Sequence, residues 1–275
     1  MKNESYFTTR DNHRLYCETW APESPKAVLI FVHGLNEHIG RYAHVAHFFS
    51  DEYTCHLYDQ RGHGRSEGVR AFAESFGNFS ADLDEFVNKV KTESGPLKIF
   101  IVGHSMGGQV VLNYLGQYSS ANLSGFITSS ANIQIGWKVN PIKKYLGVKL
   151  SSFFPKLTLP RELDEKYICR DENVVRAYVA DPLVNHSITL SLAREILANQ
   201  DVILENAPRI EIPALMMHAG DDHISASDGT VEFFEHLGSK DKTLKIYDGF
   251  YHELFNEFDK EHVFQDIKSW LAKRI

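Results

Sequence analysis

Cysteine is scarce in this chain, with only Cys17, Cys55 and Cys169. The number is odd, the spacing is wide and no Cys-x-x-Cys occurs. That excludes a disulfide frame or a zinc ribbon and reads as free thiols in a reducing compartment. Long apolar runs are missing too. No stretch approaches the ~18 consecutive apolar residues of a membrane-spanning helix. The first residues, Met1-Lys2-Asn3-Glu4-Ser5-Tyr6, hold no signal-peptide core. A cytoplasmic protein is the expectation, with peripheral contact to a membrane left open. Basic charge is outweighed: 29 Lys and Arg against 36 Asp and Glu give a formal net charge of -7. No face for nucleic acid is expected from that balance. Gly62-x-Gly64 and Gly103-x-x-x-Gly107 do not complete the Gly-x-Gly-x-x-Gly dinucleotide fingerprint. His44 and His47 have no nearby Cys or acid in a metal-ligand pattern and read as a solvated helix face. Neither a cofactor nor a metal is expected.

What is present is an alternation. Tyr6–Thr9 and Leu15–Trp20 flank the turn formers Asp11-Asn12 as a hairpin. The apolar, β-branched runs Ala27–Val32, Thr54–Tyr58, Ile99–Val102, Leu123–Ser129, Ile212–Met217 and Leu244–Tyr247 read as strands. Helical spacing marks Gly40–Phe49, a helix from Ser80 as its N-cap, Met106–Tyr118, Gly229–Leu237 and a terminal helix with Val263, Phe264, Ile267, Trp270 and Leu271 on one face. Strands joined by helices mean a mostly parallel sheet with helices on both faces. The alternation stops from about Ile133 to Arg209, where Pro141, Pro155, Pro160 and Pro182 break an uneven helical pattern. Residues 1–132 and 210–275 are therefore expected to form an α/β core, and 133–209 an inserted helical cap.

The chemistry collects where strands end. Gly103-His104-Ser105-Met106-Gly107 lies between a strand and a helix, the context of a Gly-x-Ser-x-Gly nucleophile elbow. A serine nucleophile needs a base, and the base needs an orienting acid. Gly220-Asp221-Asp222-His223 and Tyr251-His252-Glu253 follow later strands in the order Ser, acid, His. His252 is the expected base, and Asp221 or Asp222 the acid. The backbone N–H groups of Met106 and of Leu35, after His33-Gly34, are the expected oxyanion hole. Asp59 and Arg61 read as a structural turn, pairing or capping near the site.

These residues, with Asp59-x-Arg61-Gly62-His63-Gly64-x-Ser66, resemble the α/β-hydrolase fold. More specifically, His33-Gly34-Leu35-Asn36-Glu37-His38-Ile39-Gly40-Arg41-Tyr42, Ala180-Asp181-Pro182-Leu183 and Lys242–Tyr247 leading to His252 resemble the monoacylglycerol lipase and lysophospholipase family. The resemblance covers nearly the whole chain. It implies hydrolysis of a monoacylglycerol ester to fatty acid and glycerol without a cofactor, on Ser105, Asp222 and His252. Counting four residues from His218 selects Asp222 in the family pattern and leaves Asp221 to bond turn amides. The equivalents of Glu37 and Arg41 line the polar end near glycerol in the family, while elementary chemistry reads them equally as an ion pair fixing the loop. Two departures stand out. Asn36 stands where many members have glycine, and Phe255 stands where some place a polar histidine.

Two other functions share this frame: a lysophospholipase or general carboxylesterase, and a ligand-binding protein without catalysis. The intact Ser, Asp and His argue against the last. In the cap, Leu146–Leu159 is unusually apolar for a connection. Phe153 and Phe154 are its expected substrate-binding residues, at the acyl-chain entrance and at any membrane contact.

Overall fold

The computed structural model describes residues 2–137, 140–160 and 163–275. Strands β1 (Lys2–Thr8) and β2 (Arg14–Trp20) form the expected antiparallel hairpin, with Asn12 at φ +66° in its turn. Then come β3 (Ala27–Val32), α1 (Ala43–Phe49), β4 (Tyr53–Tyr58), α2 (Gly77–Ser94), β5 (Ile99–His104), α3 (Met106–Gln117) and β6 (Gly125–Ser129). The inserted segment holds α4 (Pro141–Phe153), β7 (Thr158–Pro160), α5 (Glu172–Ala180), β8 (Ser187–Thr189) and α6 (Leu190–Asn206). The core resumes with β9 (Ala214–Ala219), α7 (Ser227–His236), β10 (Lys242–Tyr247) and α8 (Lys260–Ala272).

Among the described residues eight strands make one sheet in the order β1-β2-β4-β3-β5-β6-β9-β10, antiparallel around β2 and parallel from β4 onward. The apolar strands are buried on both faces, which is why they read as continuous rather than alternating runs. Val28, Ile30 and Val32 of β3 pack with Phe79 and Phe86 of α2 and Val110 of α3. Ala27, Leu29 and Phe31 pack with Val45 and Phe49 of α1 and Phe264 of α8. The two-residue period of the strand thus feeds two cores, one per sheet face. Among the described residues no helix is long and apolar enough to cross a membrane.

One local expectation is corrected. Helix α2 starts three residues before Ser80, which is fully buried inside it and donates to Asn113 Oδ1 at 2.6 Å. The helix entry is fixed instead by Glu195 Oε2, which accepts the Phe76 N–H. Of the pairing or capping expected of Asp59 and Arg61, it is capping that the structure shows. Asp59 accepts the N–H groups of Ile39 and Arg65, while Arg61 bonds Asp82 and Asp11.

Candidate active site

Ser105 sits between β5 and α3 at φ +52°, a region non-glycine residues avoid. Holding it there costs on the order of 1–3 kcal/mol, offset by the packing around it. Its neighbours show the packing. A Cβ on Gly103 would come within 2.6 Å of the Gly107 carbonyl oxygen, and one on Gly107 within 2.2 Å of the Val32 carbonyl oxygen. Both glycines of the pentapeptide are thus required by close backbone approach. The Ser105 carbonyl accepts the N–H groups of Gln109 and Asn132, which anchors the turn to α3 and to the end of β6.

The loops after β9 and β10 bring two side chains to the serine. His252 Nε2 lies 2.8 Å from Ser105 Oγ, and His252 Nδ1 lies 2.7 Å from Asp222 Oδ2. A carboxylate can only accept, so Nδ1 carries the proton and Nε2 accepts from the serine hydroxyl. Burial opposes a charged imidazole here, but the Asp222 carboxylate outweighs it, aided by Glu253 and Glu37. The pKa of His252 is therefore raised above the ordinary 6.5. Burial also acts against the Asp222 charge, yet His252 and His218 hold that carboxyl well below the usual range.

Asp222 also takes the duty expected of Asp221. Its Oδ1 accepts the turn N–H groups of Ile224 at 2.8 Å and Ser225 at 3.0 Å. Asp221 has an exposed side chain, and its backbone N–H donates to the Phe250 carbonyl. One carboxylate holds both the turn and the histidine because its two oxygens face opposite ways. His218, which the sequence offers only as the end of a strand, is a further member. Its Nε2 lies 3.2 Å from Asp222 Oδ2 and donates to the Ser225 carbonyl, while Nδ1 accepts from Thr230.

On the other side of Ser105, the loop after β3 carries Leu35. Glu37 fixes that loop: its Oε1 accepts the Gly34 N–H at 2.6 Å and the Tyr42 hydroxyl at 2.7 Å, and its Oε2 accepts from Arg41. The ion-pair reading of Glu37 and Arg41 therefore describes the bonds made. Arg41 does not line the main cavity. It is drawn behind the wall by a second carboxylate, Glu253, in two-point contact at 2.6 and 2.7 Å. Asn36 stands at φ +63°, a conformation Asn tolerates better than most residues. Its Nδ2 donates to the Ser187 carbonyl, and its own carbonyl accepts the Asn185 N–H, tying the loop to the inserted segment.

A cavity of about 280 Å³ opens over Ser105. Gly34, Leu35, Glu37, Met106, His252 and Glu253 wall its core side. Phe153 and Phe154, expected to bind substrate, are not on its wall. They are 78% and 60% exposed on the outer side, because α4 turns its apolar residues outward and buries Ser151.

The profile of one protein family, described as serine aminopeptidase, S33, matches residues 23–259. An abhydrolase domain-containing protein of Dictyostelium discoideum is 34% identical over 98% of this chain, which spans 29% of that protein. The monoacylglycerol lipase of Mycolicibacterium smegmatis is 31% identical over 100% of this chain and 98% of its own length. The chain belongs to the monoacylglycerol lipase family of α/β-hydrolases. That makes it a carboxylic ester hydrolase. A solved monoacylglycerol lipase, that of Paleococcus ferrophilus, shares the fold with a TM-score of 0.87 at 29% identity, covering 95% of this chain and 99% of that one.

In this family member the apolar wall comes from residues the sequence reading did not single out. All lie in the inserted segment: Ile135, Trp137, Leu163 and Ile188 outside its helices, and Ala193, Ile196 and Leu197 on α6. The signal was the spacing of 193, 196 and 197, one helical face; nothing in it shows that the face looks into a cavity.

Proposed function

We propose that this chain hydrolyses the ester of monoacylglycerols to fatty acid and glycerol through an acyl-enzyme on Ser105. The observation that carries the reading is the bonded series Ser105, His252, Asp222 opening into an apolar cavity. His252 Nε2 takes the hydroxyl proton as Oγ attacks the ester carbonyl. The N–H groups of Leu35 and Met106 serve the developing oxyanion, aided by the N-terminus of α3. His252 then returns the proton to the leaving alcohol, and water repeats the sequence to release the acid. The acyl chain lies along Ile135, Ile188 and Ile196, each buried CH₂ contributing about 0.8 kcal/mol. The alcohol faces Glu37 and Glu253.

Substrate of this kind resides in lipid. The outer face of α4 and the turn after it exposes Ile142, Tyr145, Leu146, Phe153 and Phe154, with the basic Lys149 and Lys156 also exposed there. Exposed apolar residues with two cations among them suit peripheral contact with a membrane surface. The three cysteines, free and buried, accord with the cytoplasm.

The test is a panel of monoacylglycerols of rising chain length beside an acetate ester, with a fluorophosphonate probe. Ser105 should carry the label, turnover should rise with chain length, and Ser105→Ala should lose both while staying folded. Label on another serine, or an acetate ester turned over faster than every monoacylglycerol, defeats the reading.

A further inference from the structure

The alcohol end of the cavity carries a charge for which the reaction itself has no need. Glu37 and Glu253 both stand on its wall, and among the described residues no Lys or Arg lines it. The cation these carboxylates bind, Arg41, faces the small void behind them. Its guanidinium is held by Glu253 and Glu37, and one face is covered by the Tyr178 ring at 4.5 Å. Two buried carboxylates thus share one cation. His104, also on the wall, donates from Nδ1 to the Ser129 carbonyl, and burial pushes its pKa down to about 4, so it adds no compensating charge. The polar end therefore presents one unbalanced negative charge, screened little because Glu37 and Glu253 are 3% and 5% exposed.

Hydrogen-bonding capacity points the same way. Glu37 Oε1 and Glu253 Oε2 each accept twice, from Gly34 and Tyr42 and from Arg41 and Asn256. Among the described residues Glu37 Oε2 and Glu253 Oε1 each accept only from Arg41, which leaves each a lone pair for a hydroxyl donor. An alcohol can donate to these oxygens. An anionic group meets carboxylates and finds the guanidinium already turned away.

We infer that Glu253 is a specificity-determining residue that selects neutral leaving alcohols and rejects alcohols bearing a phosphate or carboxylate. The inference rests on the esterase reading of the same cavity. The excess charge belongs to the pair, since Arg41 bonds Glu253 at two points and Glu37 at one. Glu37 also holds the Gly34 turn, which leaves Glu253 as the carboxylate whose charge can be removed without loosening that turn.

Two matched ester pairs test this, each with one acyl chain. One pair is the esters of glycerol and of glycerol 3-phosphate. The other is synthetic, the esters of 4-(hydroxymethyl)benzamide and 4-(hydroxymethyl)benzoate. The wild-type chain should favour the neutral member in kcat/KM by roughly tenfold or more, as like charges in a poorly screened site require. Glu253→Gln keeps the bond to Arg41 and removes the excess charge, so the ratio should narrow by roughly tenfold. Glu253→Asp keeps the charge and should keep the preference. An unchanged ratio in Glu253→Gln overturns the inference. So does a wild-type chain that cleaves neutral and anionic members of the synthetic pair equally, which needs no variant to fold. If the synthetic pair is cleaved and the glycerol esters are not, the monoacylglycerol reading fails while the synthetic pair still decides the role of Glu253.

Discussion

Asp222 and Phe153 stand at opposite extremes of this molecule. The Asp222 side chain has no exposed surface, and both its oxygens are bonded, one to the turn and one to His252. Phe153 is an apolar ring 78% exposed on the inserted segment. The first arrangement is a polar group held still in a low dielectric, where a misplaced or unpaired atom is costly. The second leaves apolar area in water that only an external partner can cover. The difference teaches what each place offers: the sheet edge holds polar groups in fixed bonds, and the outer face of α4 leaves apolar area uncovered. It also ranks what mutation should do.

The largest effect is expected at the buried extreme. Asp222→Asn should lower kcat by about 10⁴, the order seen when a serine-protease triad loses its orienting acid. The amide cannot hold the His252 tautomer as the carboxylate does, nor stabilise the imidazolium. Asp221→Asn, one residue away and exposed, should change kcat by less than about threefold, as surface substitutions do. Steady-state kinetics on a soluble ester, with circular dichroism to confirm folding, checks the pair. The reverse ranking would place the acid at Asp221 and undo the contrast between buried and exposed carboxylates.

How much of this was legible in the sequence follows the same divide. Gly103 and Gly107 announce themselves because backbone approaches them too closely for any other residue, and so the elbow is written locally. The central strands β3, β5 and β6 show as apolar runs because both faces are covered. The second partner of Arg41 is not written locally. Glu253 lies 212 residues downstream, and only the loop after β10 brings it there. The outward turn of α4 was illegible for a related reason. Helical spacing marks an apolar face but does not say whether protein or something else covers it. His218 hides because a histidine closing a strand has no distinguishing neighbours until Ser225 and Thr230 fold against it.

A middle-sized effect concerns protons. His252 must be neutral to accept from Ser105, so kcat/KM falls as pH drops through its pKa in the free enzyme. Burial opposes the charged imidazole, but Asp222, Glu253 and Glu37 favour it and outweigh burial. The acid limb should therefore lie above the ordinary 6.5 and fall about tenfold per pH unit below it, as one proton requires. Replacing Glu253 with Gln removes one of the upward influences and should move the limb to lower pH. A pH profile with a dissolved short-chain ester checks both. A limb below 6.5 in the wild-type chain would mean that burial outweighs the carboxylates at the sheet edge.

The smallest effect is expected at the exposed extreme, and only in the presence of lipid. Phe153→Asp combined with Phe154→Asp removes two apolar rings and adds two negative charges beside Lys149 and Lys156. Fully burying one such ring is worth about 1.5–3 kcal/mol, so partial insertion of two is worth roughly tenfold in membrane affinity. Turnover of monoacylglycerol carried in anionic vesicles should fall by that order, and vesicle co-sedimentation should fall with it. Turnover of a dissolved acetate ester should change less than about twofold, because neither ring lines the cavity over Ser105 and exposed sites seldom carry stability. Equal losses on both substrates would make α4 a packing element of the fold. The exposed rings of Phe153 and Phe154 would then serve the fold and not a membrane, and the contrast with Asp222 would lose its functional half.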